Sequence, residues 1–559
     1  MNEIAEKDRF NLAPDIYRTM EERIEMVSHP DCPSEVLEIV AEHDLDQNVL
    51  EAIYFRNDLT DKTKKFLRER LTREQAELER ERAVQQDAKL SSAQRVFCSI
   101  PWNHISTNAD GSVRMCCQMI QSDVSPVYGT LYKPDGSTYT GKDKPDDYRN
   151  HEDLKRVRRE MLAGIDPEIC KLCTDEERNG IVSRRTGTKQ RYPHLFEQAL
   201  EQTQEDGSID LNDFPLTYID LRFGNKCNLK CRSCGPTDSN LWYEDYYKMT
   251  EVNNMPLGQF RYRAHETMTV EKLEDGTYDV STMIDWWEDS GLWNYIVENI
   301  ENIDRYYFTG GEPTINQKHR ELLDLIIERG VADRVTLEYN TNMAGIPSKV
   351  FEQWKHFKYV QIGMSIDGIY EHFEYIRHPG KWTACERSMR RIDTEEGFER
   401  VHAGIALTLS IYNVLHLLDM IWWHKDQNFK RLQDWIIIHN LYGPTHLNVQ
   451  NLPNEVKQFI DKRYNQFISD IQIRWRSKED RYWVRKTIQN LRSVLTHMWD
   501  AEPNPVDWKR FHDWTAKMDT IRSETFATTM PELQRVFDEA RAKETRTRSA
   551  QLKSAGKKG

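Results

Sequence analysis

The sequence predicts an α/β protein centred on a partial (β/α)6 barrel, on three observations. Beyond residue 215 six apolar runs of strand length recur: LTYIDLRF, DRYYFTG, RVTLEYN, YVQIGMSID, HAGIALTLS and DWIIIHN. Amphipathic stretches of helical spacing, such as HRELLDLIIERG, separate several of them. Strands alternating with helices imply parallel pairing through right-handed crossovers. Thirdly, short polar or cysteine-bearing segments follow directly on most of the strands. In a parallel sheet all carboxyl ends open on one face, so these segments are expected to converge although they are distant in sequence.

The flanks divide by composition. Residues 1–92 read as helical, with HPDCPSEVLEIVAEHD and RNDLTDKTKKFLRERL as two loosely similar units, too few for a repeat array. Residues 93–190 form a cysteine-bearing, turn-rich module, with YKPDGSTYTGKDKPDD between its cysteine groups. The barrel is expected over 215–450. Between its first two strands lies an insertion, residues 238–300, rich in aromatics (Trp242, Tyr243, Tyr246, Tyr247, Trp286, Trp287, Trp293) and read as core. Residues 451–545 are expected to be helical, and 546–559 a disordered basic tail.

Composition narrows the class. With 559 residues, 38% hydrophobic and 30% charged, the chain is that of a soluble multidomain protein. It shows neither a bilayer-length apolar run nor a signal-like start, so a cytoplasmic protein without a membrane partner is expected. A net charge of -14 argues against broad nucleic-acid binding, which needs a basic face. The ten cysteines are not dispersed: all but Cys32 and Cys385, read as ordinary thiols, fall in three short groups. In a reducing compartment that pattern means metal binding rather than disulfides.

The strongest motif is CNLKCRSC, Cys227, Cys231 and Cys234, placed just after the first barrel strand. Three thiolates on one loop can hold a metal centre and leave one position open for a cofactor or substrate. A zinc site completed by a distant His or Cys is the alternative. The spacing C-x3-C-x2-C resembles the defining motif of the radical S-adenosylmethionine superfamily, whose fold is a partial TIM-like barrel. The resemblance implies a [4Fe-4S] cluster on these cysteines, with the methionyl amine and carboxylate of S-adenosylmethionine on the fourth iron. It further implies that Gly310, Gly311 and Glu312, in the TGGEP segment, bind the methionyl ammonium group. Asn340, Thr341 and Asn342 after the third strand, Ser365 and Asp367 after the fourth, and Thr408 and Ser410 on the fifth would make polar cofactor contacts, with Asn413 beyond. Arg377 is either a partner of the methionyl carboxylate or an exposed arginine at a helix end. Ser233 stands where the family usually has an aromatic beside the adenine, which leaves the adenine site unassigned.

A second constellation is Cys98, Cys116 or its neighbour Cys117, Cys170 and Cys173, from FCSIPWNHISTNADGSVRMCC and ICKLC. NADGSVRMCC reads as a hairpin turn leading into a strand. A hairpin plus a CxxC loop supplies four thiolates, and this resembles the twitch form of the SPASM auxiliary-cluster domains, although such domains normally follow the barrel. The resemblance implies a second, auxiliary [4Fe-4S] cluster; a zinc knuckle or inert buried cysteines are the alternatives. The resemblance spans about residues 95–450.

Together these imply an oxygen-sensitive enzyme that reductively cleaves S-adenosylmethionine to a 5'-deoxyadenosyl radical. That radical would take hydrogen from a peptide or protein side chain, with electrons from an external flavodoxin- or ferredoxin-type reductant. A small-molecule substrate bound at the auxiliary cluster is a second expectation, and a non-enzymatic iron-sulfur sensor or electron carrier a third.

Overall fold

A computed structural model describes residues 37, 91–117, 130–178, 183–253, 259–263, 266–280, 286–288, 290–475 and 480–542. The chain divides into two compact units, Met1–Arg95 with Asp175–Ser183, and Val96–Thr174 with Arg184–Gly559. Nearly all of the first unit, with the two expected helical units, lies outside the described residues, as does the basic tail.

The second unit is built on one eight-stranded sheet. Its strands are β1 (His104–Thr107), β2 (Val113–Arg114), β3 (Tyr218–Leu221), β7 (Arg305–Phe308), β8 (Thr336–Thr341), β9 (Tyr359–Ser365), β10 (Val401–Leu409) and β11 (Ile437–Asn440). The insertion carries the remaining three, β4 (Gln259–Arg263), β5 (Glu266–Lys272) and β6 (Tyr278–Val280), as a separate antiparallel sheet that the aromatic pattern did not suggest. In the large sheet the order is β11-β10-β9-β8-β7-β3-β1-β2, parallel throughout except for the β1-β2 hairpin. All six expected strands are present. The unexpected seventh parallel strand, β1, comes from the cysteine-rich segment and pairs with β3, His104 opposite Tyr218. Its four residues, HIST, have no apolar alternation by which to recognise them.

Burial explains the strands. In β9 every second residue is buried, Val360, Ile362 and Met364, beneath the crossover helices. The same face continues through Leu337 and Tyr339 of β8 and Tyr306 and Phe308 of β7. Helix Gln317–Glu328 covers it, started by Asn316, whose side chain accepts from the amides of Lys318 and His319. His319 of that helix is fully buried between Phe308 and Tyr339, 2.9 Å from the Tyr339 hydroxyl. Burial holds its pKa down at about 3, against 6.5 unperturbed. Below pH 6.5 the unfolded chain therefore binds a proton that the fold refuses, so stability falls as pH drops from 6.5 towards 3. The loss from this one group is expected to approach roughly 4 kcal/mol. In urea unfolding across that window, His319→Gln should show a visibly shallower decline than the parent; equal slopes would mean that His319 titrates normally.

The C-terminal residues form helices Asn454–Arg474, Arg481–Trp499 and Pro505–Arg522, then a short turn of helix at Phe526–Thr529. Trp242 of the insertion is fully buried and stacks on Trp514 of Pro505–Arg522, 5.7 Å between ring centres. Trp286 is packed so closely on the cysteine-rich segment that a Cβ at Gly111 or Gly141 would overlap its ring. Among the described residues no helix is long and apolar enough to cross a membrane.

Candidate functional site

The loop after β3 is held from three sides. Asn225 is buried and donates to the carbonyl of Pro236 and the hydroxyl of Tyr243, which bends the chain away from the strand. Asn240 accepts from the Cys227 amide at 3.0 Å, and the Trp242 indole donates to the Cys231 carbonyl at 3.2 Å. The amides of Lys230 and Arg232 donate to the carbonyls of His378 and Ile376. The loop thereby presents Cys227 half-buried, Cys231 buried and Cys234 exposed. Burial pushes the Cys227 thiol up to about 12, and the charges of Cys231 and Glu312 add to the effect. The thiols of Cys231 and Cys234 are hydrogen-bonded, which holds Cys231 down at about 7 and Cys234 up; the Arg377 guanidinium, 3.6 Å from the Cys231 sulfur, favours its thiolate.

The end of β7 meets this loop. Gly310 and Gly311 have φ of +77° and +55°, and a Cβ on Gly311 would lie 2.4 Å from the carbonyl oxygen of Lys226. These glycines let the turn close on the cysteine loop itself, whereas the sequence suggested only approach to a ligand. Gly311→Ala is expected to cost more than about 2 kcal/mol in urea unfolding, from left-handed strain plus the clash; a loss under 0.5 kcal/mol would show that the turn is slack. Glu312 is buried, which raises its pKa, and accepts from the Thr314 amide and hydroxyl, the Thr341 hydroxyl and the Asn342 amide. Three of these bonds end on Oε1 and one, from the Asn342 amide, on Oε2, so Oε2 keeps a lone pair with which to accept from an incoming ammonium.

The remaining expected residues separate into two sets. Asn342 lies 3.9 Å from the Cys227 sulfur and donates to Asn228 at 2.8 Å. Asp367 is buried, accepts from the Thr408 amide at 2.8 Å and pairs with Arg377 at 2.7 Å. Arg377 is therefore not an exposed helix-end arginine: it is 7% exposed and spans Asp367 and Cys231. Thus Cys227, Cys231, Cys234, Glu312, Asn342, Asp367 and Arg377 are brought together. Asn340 instead donates to the Tyr307 hydroxyl on the other face of the sheet, Ser410 forms a turn with Asn413, and Ser365 is half-buried on that same other face.

The second group also gathers. Cys98, Cys116, Cys170 and Cys173 line one small apolar void, with Arg184 and Arg185 at its edge. Burial raises the thiols of Cys98 and Cys170. Cys117 is absent from the void wall: its hydrogen bond with Cys116, helped by Arg184 and Arg114, lowers it to about 7. Around neither group do three His, Cys, Asp or Glu side chains converge on a point for a single metal ion, among the described residues. What both groups offer is a soft thiolate donor set, with three sulfurs beside an acidic and amide-lined turn in one case and four around a void in the other, the chemistry an iron-sulfur cluster requires.

Between the two groups the sheet turns a polar face inward. Tyr218, Asp220 and Arg222 follow at period two on and beyond β3, and register sets Asp220 beside Ser106 and Tyr307, and Tyr307 beside Glu338. Arg184 lies between the rings of Tyr218 and Tyr307, 5.4 and 5.3 Å from their centres. Glu338 pairs with Arg305 at 2.6 Å and Arg191 at 3.0 Å. On this face Asn340 and His402 are exposed, whereas Tyr218, Asp220 and Ser106 are fully buried. These residues were overlooked in the sequence, where charges inside apolar runs (Asp220 in LTYIDLRF, Glu338 in RVTLEYN) were the available signal.

No family model and no curated protein matches this chain. Among solved structures it is similar to native anSMEcpe with bound AdoMet, at 19% identity and a TM-score of 0.28, over 48% of this chain and 61% of that one. It is also similar to native anSMEcpe with bound AdoMet and the Cp18Cys peptide, at 17% identity and a TM-score of 0.27, over 48% and 61%. Streptococcus suis SuiB bound to S-adenosylmethionine matches at 11% identity and a TM-score of 0.27, over 53% of this chain and 61% of that one. The chain thus covers less than two thirds of each of these proteins.

Proposed function

We propose that this chain is a cytoplasmic radical S-adenosylmethionine enzyme acting on a peptide or protein side chain. One observation carries the reading: the loop bearing Cys227, Cys231 and Cys234 meets the Gly310–Glu312 turn, Asn342 and the Asp367–Arg377 pair at the carboxyl ends of parallel strands. Cys227, Cys231 and Cys234 would hold a [4Fe-4S] cluster, which would supply one-electron reduction of the S-adenosylmethionine sulfonium, breaking its C5'–S bond to methionine and a 5'-deoxyadenosyl radical able to take hydrogen from the substrate. The chain's own residues place and shield these groups. Arg377 offsets thiolate charge at Cys231, Glu312 ties the β7 and β8 ends to the cysteine loop, and the inward polar face holds substrate below them.

The four cysteines around the second void support a fully ligated auxiliary cluster, and so electron transfer rather than direct substrate ligation there. On this reading residues 93–190 are an auxiliary-cluster module of twitch type before a core of 215–450, and a flavodoxin or ferredoxin supplies the electrons. The protein, reconstituted anaerobically with iron and sulfide and given dithionite and S-adenosylmethionine, should form 5'-deoxyadenosine. A protein that retains iron but forms none would be a sensor or electron carrier instead.

A further inference from the structure

Three guanidiniums gather on the inward face beside the second group of cysteines, and they share one carboxylate. Register places Arg114, Ser106, Asp220 and Tyr307 side by side across β2, β1, β3 and β7, and Arg222 follows two residues beyond Asp220 on the same side of the chain. Arg184, at the start of helix Arg184–Arg191, reaches the same spot between the rings of Tyr218 and Tyr307. All three arginines act on Asp220. The neighbouring carboxylates are engaged elsewhere, Asp166 with Arg185 and Glu338 with Arg305 and Arg191. Three positive charges therefore stand against one negative, a surplus of two.

That surplus borders the thiols. Arg184 lines the void together with Cys98, Cys116, Cys170 and Cys173, and Arg114 donates to the Cys116 carbonyl at 3.2 Å. The first cysteine loop has no such excess, because Arg377 faces Asp367, and Arg232 faces both Asp519 and Glu524. A guanidinium cannot shed its charge in a protein, so the surplus is permanent. Fixed positive charge beside a cluster stabilises the state that holds one more electron, and local charge is among the main determinants of cluster potential.

We infer that Arg114, Arg184 and Arg222, anchored on Asp220, set the reduction potential of the centre held by Cys98, Cys116, Cys170 and Cys173 and keep it high. They are positioning residues that act on the cluster through space, and none is a ligand. The inference rests on the proposed function in taking that centre to be an iron-sulfur cluster. The step they control is the gain of one electron by the bound cluster, with no bond broken.

The test uses the full-length protein carrying Cys227→Ala, Cys231→Ala and Cys234→Ala together, reconstituted anaerobically so that the second centre alone reports. Its midpoint potential is read by dithionite titration followed by electron paramagnetic resonance, with iron counted alongside. Arg184→Gln should lower the ratio of reduced to oxidised centre at fixed potential about tenfold or more, ~59 mV for one electron. Arg222→Gln should lower it too, in a residue that does not line the void and whose loss leaves the cluster pocket intact. Asp220→Asn should raise it, since it removes the one negative charge, and Arg184→Lys, which keeps the charge, should stay within about threefold of the parent. Potentials indifferent to these changes, or moved the same way by Asp220→Asn and the Gln variants, would overturn the inference. A parent without iron at the second centre would overturn the auxiliary-cluster reading and this inference with it. Failure of the otherwise unaltered protein to cleave S-adenosylmethionine would overturn the proposed activity and leave the shifts in potential standing.

Discussion

Cys231→Ala should lower 5'-deoxyadenosine formation by more than about a hundredfold, since even an outer-shell change at a metal site costs 10- to 100-fold. Iron after anaerobic reconstitution should fall from about eight to about four per chain, one cubane's worth. The three sulfurs come from one loop, and the two remaining would have to hold a cluster with no third protein ligand. Cys231 also lies 3.6 Å from Arg377, so its loss leaves that buried guanidinium with Asp367 as its charged partner. Because Cys231 is buried and its carbonyl accepts from Trp242, Cys231→Ser serves as the size-matched companion variant. Unchanged iron and product in both variants would remove these cysteines from the reaction.

Arg232→Met should destabilise the protein by roughly 3 to 5 kcal/mol, the cost of leaving a buried ion pair half made. Arg232 lies between Cys231 and Cys234, its side chain fully buried. It donates to the Tyr375 carbonyl at 3.1 Å, to Asp519 at 2.6 Å and to Glu524 at 2.7 Å, and lies 3.7 Å from the centre of the Tyr375 ring. A neighbouring pair, Asp245 with Arg522, is fully buried at 2.8 Å, and Lys230 joins it at 2.6 Å from Asp245. Two residues of the cysteine loop are thus clamped by charges from the C-terminal helices and the insertion. Removing Arg232 leaves Asp519 with the Tyr375 hydroxyl and the Phe526 amide, and Glu524 with His378, but without the cation that ties both to the cysteine loop, so the loop should loosen along with the helix contact. Urea unfolding reads the first effect, and iron retained after gel filtration the second. In a double-mutant cycle Arg232→Met and Asp519→Asn should couple by more than about 1 kcal/mol; a smaller coupling, or a stability loss under 1 kcal/mol, would show that the clamp is idle.

These two expectations differ in how they could be reached. The cysteine loop and the Gly310–Glu312 turn are legible in the sequence because each is a local device, a spacing of thiols or a pair of glycines, at the end of a strand whose apolar alternation is plain. The six strands are legible for the same reason, as β9 illustrates. Strand β1 was not, because its four residues derive their strand character from β3 beside them, not from their own pattern. Arg377 was ambiguous, since what separates an exposed helix end from a buried bridge is Asp367, ten residues away in sequence and 2.7 Å away in space.

The amino-acid order alone therefore determined which segments become strands, which loops carry thiols and which face of the parallel sheet they share, since all of that follows from short-range periodicity and from the handedness of crossovers. Tertiary structure decided the rest: that Cys116 rather than Cys117 lines the second void, that Arg377 bridges Asp367 and Cys231, and that residues 519 and 524 reach the cysteine loop. Each of these depends on the distance between groups far apart in sequence and on water being excluded from between them. Distance and desolvation are properties of packing, which no local pattern encodes.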